Sequence, residues 1–125
     1  MESEKKQWLE YYKSKGVIDE LTFFDVLKSQ LHGARAKYLV FDMSELKLDA
    51  EYTSIYSSSK RLLPFFNVEK IRYLAMVCQT RKTTLMACLI KLKFEKQGVV
   101  CRLFYGYDKA KDWLTAINEK EERLG

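Results

Sequence analysis

Histidine, proline, glycine and paired cysteine are all scarce in this chain. Its 125 residues include one histidine, one proline, five glycines and three cysteines. A single imidazole excludes multi-histidine metal sites and any chemistry that needs two such rings. Cys78, Cys88 and Cys101 are odd in number, widely spaced and set among apolar residues, with no CxxC pair. A zinc cluster or thioredoxin-like motif is therefore unsupported, and reduced, mostly buried thiols of a cytoplasmic protein are expected. No apolar run approaches the roughly 20 residues that cross a bilayer. The charged start, residues 1–6, has no apolar run behind it, so no secretory leader is expected.

What is present reads as one ordinary globular domain over residues 1–125. Hydrophobic residues make up 47% and charged residues 31%, which is too apolar for a disordered chain. A chain of this length can bury a full core. The formal charge of +5 is unevenly spread. Residues 60–111 carry twelve basic and three acidic side chains, while residues 36–59 and 112–125 are each net acidic. The basic character belongs to one segment, either as solvated helix faces or as a surface for an acidic partner, anionic lipid or nucleic acid. Nucleic acid is not expected, because no aromatic RNA-binding motif or recognition helix accompanies the charge.

Short apolar runs alternate with helical periods. Residues 37–42, 71–78 and 98–105 read as strands covered by helices on at least one face. Trp8–Tyr12 is aromatic enough for an edge strand, although Gly16 could instead end a short helix. The first helical stripe is Phe24, Leu27 and Leu31 with Phe23 at its edge, opened by Asp19 as N-cap and stopped at Gly33. A second helix opens near Asp49, turns Tyr52, Ile55, Tyr56, Leu62 and Leu63 to one side, and ends at Pro64. A third runs from about Lys82 to Lys96 with Leu85, Met86, Leu89, Ile90 and Leu92 as its apolar side. The last carries Ala110, Trp113, Leu114 and Ile117, with Asp108 as its cap. The order β-α-β-α-β-α-β-α predicts an α/β layer fold: about four strands, mainly parallel, with about four helices.

Three stretches resemble a known family. Residues 38–46, Tyr-Leu-Val-Phe-Asp-Met-Ser-Glu-Leu, are similar to a strand and its following loop in STAS domains, the fold of anti-anti-sigma proteins. Residues 71–77 resemble the next core strand. Residues 104–114 resemble the final strand, acidic loop and Ala-x-x-Trp-Leu helix of a STAS-like branch that also resembles the lipid-binding CRAL-TRIO fold and includes small bacterial proteins without an assigned role. The resemblance covers residues 7–118. It implies a non-catalytic regulatory module that binds a protein partner, or, on the CRAL-TRIO side, a lipophilic small molecule. Regulatory STAS domains carry an Asp-Ser-Ser-Gly loop with a phosphorylated serine. Here that stretch is Leu48-Asp49-Ala50-Glu51-Tyr52: Asp49 is kept, and Glu51 falls where the phosphoserine would sit. A charge mimic is one reading of Glu51; an ordinary acid in a helix's first turn is the other.

Sites in parallel sheets gather beyond the carboxyl ends of strands. That places Asp42, Ser44 and Glu45 near Gln79, Thr80, Arg81, Lys82 and Thr83, and near Tyr107 and Asp108; backbone N–H groups at the helix start after Gln79 could meet an anion or an acidic partner. The stretch lacks the glycines of a phosphate cradle and is also an ordinary capped loop. Asp42 and Asp49 could pair as acid and base, but turn and capping roles explain both. His32 is most simply a charge complement at a helix C-terminus. No enzyme activity, cofactor or metal is expected. Tyr52, Tyr56, Phe65 and Phe66 are read as lining an apolar pocket or a dimer face, and otherwise as core.

Overall fold

The apolar runs become strands, and so does the aromatic segment near the N-terminus. The computed structural model describes residues 2–5 and 8–124. One sheet holds β1 (Glu2–Lys5), β2 (Leu9–Ile18), β3 (Tyr38–Leu48), β4 (Tyr73–Val77) and β5 (Val100–Phe104), side by side in chain order. Strands β2 to β5 run parallel, and β1 adds an antiparallel edge beside β2. Four helices complete the α/β fold: α1 (Glu20–Gly33), α2 (Tyr52–Leu62), α3 (Arg81–Glu95) and α4 (Tyr107–Leu124).

The chain order explains the layers. Each crossover steps to the next strand in the same direction, and right-handed connections then place every crossover helix on one face. The core on that face joins Phe24, Leu27 and Leu31 of α1, Ile55 of α2, and Met86, Ile90 and Phe94 of α3 to Leu39, Phe41, Leu74 and Met76 of the sheet. Helix α4 follows the last strand, is not a crossover, and covers the opposite face. There Ala110 and Leu114 meet Leu9, Tyr38, Val40, Ala75 and Val77.

The second face accounts for much of the aromatic content. A chain of rings crosses the strands. Trp8 packs edge-on to Tyr38 (5.4 Å), Tyr38 stacks on Tyr73 (5.2 Å), Tyr73 meets Trp113 edge-on (6.4 Å), and Trp113 lies 5.6 Å from Phe104. The Arg102 guanidinium closes the row over Phe104 at the β5 edge.

Several local expectations are corrected. Strand β3 does not stop at Asp42. It continues through Ser44 and Glu45 to Leu48, paired only with β2 beyond the end of β4. Leu46 and Leu48 are buried and Glu45 and Lys47 exposed, a period-2 alternation that one-sided cover produces. Gly16 lies inside β2, just past a register shift between Lys13 and Lys15, at a φ of 92° that glycine adopts readily. Asp19 does cap α1, accepting from the Thr22 N–H at 2.7 Å. Helix α2 starts at Tyr52, three residues after Asp49, with Glu51 at the N-cap position and no side-chain cap bond. Asp108 sits inside the first turn of α4 rather than before it. The buried side of α3 is Thr83, Met86, Ala87, Ile90 and Phe94, while Leu92 stands 62% exposed. The helix is rotated toward Phe94 because that ring packs against Phe66 (6.5 Å) over the sheet.

Candidate functional site

The sheet divides the loop residues that the sequence groups together. Asp42 lies on the α4 face, only 4% exposed, where its carboxylate accepts from the Tyr11 hydroxyl and from the Ser44 N–H (2.9 Å). Tyr11 in turn packs edge-on against Tyr107 of α4. Ser44 is therefore a strand residue beside a satisfied aspartate. Glu45 pairs with Lys13 of β2.

Thr80, Arg81, Lys82 and Thr83 lie at the start of α3, on the opposite face. The Thr80 hydroxyl accepts from the Thr83 N–H (3.1 Å), and the Thr83 hydroxyl accepts from the Thr80 N–H (3.2 Å), a reciprocal capping box. The Thr84 hydroxyl also donates to the Thr80 carbonyl at 2.7 Å. This helix start is closed by its own side chains. Arg81 is exposed, and the Lys82 ammonium lies 5.6 Å from the Tyr52 ring, bringing the start of α2, and Glu51 before it, beside the start of α3.

The four aromatics Tyr52, Tyr56, Phe65 and Phe66 do not share one cavity. Phe66 is buried, with its ring edge-on to Phe24 (6.1 Å). Phe65, its neighbour, is 80% exposed and with Phe66 borders a hollow against α1. Tyr52 and Tyr56 stand on the outer surface of α2, half-exposed.

Tyr56 belongs to a seam between α2 and α3. Leu63, Pro64, Leu89 and Leu92 line it with Tyr56, and Lys60, Lys93 and Lys96 stand around it, enclosing a groove of about 240 Å³. The apolar strip is bordered by three lysines. The neighbouring carboxylate Glu95 is engaged with Lys91 at 2.8 Å. Sequence reasoning singled out Tyr56 but missed its partners on α3, although the signal was present: Leu89, Leu92, Lys93 and Lys96 recur at i, i+3, i+4 and i+7, which is one face of a helix.

The thiols differ by depth. Burial pushes the Cys101 thiol up to about 12 and raises that of Cys78, so both stay protonated, whereas Cys88 is exposed. Among the described residues no three His, Cys, Asp or Glu side chains are grouped to hold a metal ion, and no helix is long and apolar enough to cross a membrane.

No known protein family, characterised protein or solved structure matches the chain. The fold and the seam therefore carry the functional argument.

Proposed function

We propose that this chain is a non-catalytic, STAS-like interaction module of the cytoplasm, and that its partner is an acidic protein segment held on the α2–α3 seam. The seam carries the proposal. Its apolar strip supplies contact area, and the three lysines around it, Lys60, Lys93 and Lys96, select negative charge and disfavour basic partners. Tyr56 and Leu92, 54% and 62% exposed, are large side chains left in water that a partner would cover. An amphipathic helix with acidic flanks has the right pattern for such a groove.

Other features agree with this reading. The polar groups that could serve chemistry are engaged in structure: Asp42 with Tyr11 and Ser44, and Thr80 with Thr83. The STAS likeness is supported by strands β2 to β5 lying in chain order with a helix after each. The cytoplasmic assignment is supported by three unpaired thiols.

The test is fluorescence anisotropy with a labelled synthetic helix bearing leucines at i, i+3 and i+7 and glutamates between them. Saturable binding is expected. It should be lost in the Lys93→Glu/Lys96→Glu variant and kept in Arg81→Glu. Binding that ignores the double charge reversal would remove the seam from the proposal. Sedimentation of the free protein reads the homodimer alternative: a dimer that Leu92→Glu dissolves would assign the seam to a second copy.

A further inference from the structure

We infer that the cleft between α2 and the first turn of α1 is a second binding site, for a neutral polyhydroxylated molecule the size of one sugar ring. It lies on the flank of α2 that faces α1, away from the seam with α3. Its volume is about 320 Å³, at the small end of the range of about 300–1,000 Å³ typical of small-molecule sites.

The sequence of α2 is costly for a helix. Five of its eleven residues are serine or threonine, whose hydroxyls compete for the backbone and lower helix propensity. Thr53, Ser54, Ser57 and Ser58 fall at i, i+1, i+4 and i+5, with Arg61 one turn beyond, so they share one flank of the helix. Glu20 of α1 completes the lining of the cleft. Ser59 is used in structure: its hydroxyl donates to the Ile55 carbonyl at 2.7 Å. Ser58 is not. It is only 6% exposed, it borders the cleft, and no described group hydrogen-bonds its hydroxyl. Among the described residues no fully sealed polar side-chain atom lacks a partner, so this hydroxyl is reached through the cleft. A nearly buried hydroxyl without a protein partner regains its hydrogen bonds when a ligand supplies them. A helix flank that sacrifices propensity for unengaged hydroxyls is a local rule broken at a functional place.

The lining sets the character of the ligand. The four hydroxyls both donate and accept, Arg61 only donates, and Glu20 only accepts. One positive and one negative side chain favour neither an anion nor a cation. Among the described residues no aromatic ring lines the cleft, so a planar apolar molecule finds no platform there. A compact molecule with several adjacent hydroxyls satisfies every group: its oxygens accept from Arg61 and the serines, and its O–H groups donate to Glu20.

The experiment is an amide-resolved NMR titration of the whole protein with myo-inositol. Cyclohexanol, the same ring with a single hydroxyl, and inositol monophosphate are the controls. Saturable shifts are expected at Ser54, Ser57 and Ser58. Affinity should fall about tenfold in Ser58→Ala, the scale of losing one hydrogen bond. Alanine favours a helix over serine, so that loss does not come from unfolding. Affinity should also fall in Arg61→Ala, and stay unchanged in the seam variant Lys93→Glu/Lys96→Glu. Absence of saturable shifts, or equal affinity in Ser58→Ala, overturns the site. Cyclohexanol that binds as tightly as inositol overturns the polyol preference. A monophosphate that binds more tightly, with the gain lost in Arg61→Ala, overturns the neutral ligand. Loss of binding in the seam variant would place the probe on the other groove and also overturn the assignment.

Discussion

Tyr38 of β3 donates its hydroxyl to the carboxylate of Glu121 near the end of α4, joining residues 83 positions apart in the chain. The Lys37 ammonium lies 3.6 Å from the same carboxylate. Among the described residues no strand follows helix α4 to hold its far end. This polar contact, with the ring row beneath it, fixes where the helix lies on the sheet.

The contact makes stability depend on acid. The Tyr38 hydrogen bond, helped by Lys37 and Arg72, holds the Glu121 carboxyl below its usual range despite some opposing desolvation. A group with a depressed folded value contributes fully above its unfolded value, about 4.3 for a glutamate, and loses that contribution as pH falls through the folded value. Urea midpoints measured against pH should therefore fall more steeply in acid for the native chain than for Glu121→Gln. Parallel curves would show that Glu121 contributes nothing. Asp19 is depressed in the same direction through its bond from Thr22 and is common to both proteins, so the difference isolates Glu121.

Thiol labelling should separate one cysteine from two. Cys88 is exposed on α3, while Cys78 and Cys101 are buried and held as neutral thiols. Mass spectrometry after iodoacetamide treatment should show a single rapid adduct on the folded protein and three in denaturant. A folded protein that labels quickly at Cys101 would contradict its burial.

Two residues of α3 should respond oppositely to truncation. Phe94→Ala removes a fully buried ring and should cost about 3–5 kcal/mol. Leu92→Ala removes an exposed side chain and should cost less than about 0.5 kcal/mol. Guanidinium unfolding of both variants measures the difference directly. Comparable losses would mean that α3 presents another face to the sheet.

Glu10 should be needed for the turn after α1. Its buried carboxylate accepts from the Arg35 and Ala36 N–H groups, at 2.8 and 2.9 Å, and from the Tyr12 hydroxyl. Glu10→Ala leaves these donors without that acceptor, and since only the Tyr12 hydroxyl is buried the loss should total about 1–3 kcal/mol. Glu10→Gln keeps an acceptor oxygen and should be milder. Denaturant midpoints that rank Gln with Ala would show that the carboxylate's packing, not its hydrogen bonding, matters there.

Local chemistry was legible wherever a few neighbouring residues decide the outcome. Asp19 caps because its short side chain reaches the Thr22 N–H, and Pro64 ends α2 because it cannot continue the ladder of N–H bonds. The strand at Tyr73–Val77 follows from an apolar run that only a covered sheet can hide, and Val100–Phe104 from residues with β preference at the sheet's edge. The α/β class and the helix after each parallel strand follow from that alternation. The second half of β3 was also legible in principle, since Glu45-Leu46-Lys47-Leu48 alternates, but Asp42 and Ser44 read equally well as a turn.

The tertiary structure decided which chemically equivalent residues meet. Leu92 and Phe94 are both apolar positions on one helix, and only packing against Phe66 turns Phe94 inward and leaves Leu92 on the seam. Asp42 and Thr80 read alike as loop residues, yet Asp42 lies inside β3 with its side chain on the α4 face, while Thr80 opens α3, which returns over the other face. Phe65 and Phe66 are identical neighbours, one anchored in the core and the other held in water. Composition and periodicity determined how many apolar groups had to be buried and in which elements. The rotation of each helix on the sheet, which is set by contacts between residues far apart in the chain, determined which of them were left exposed to bind.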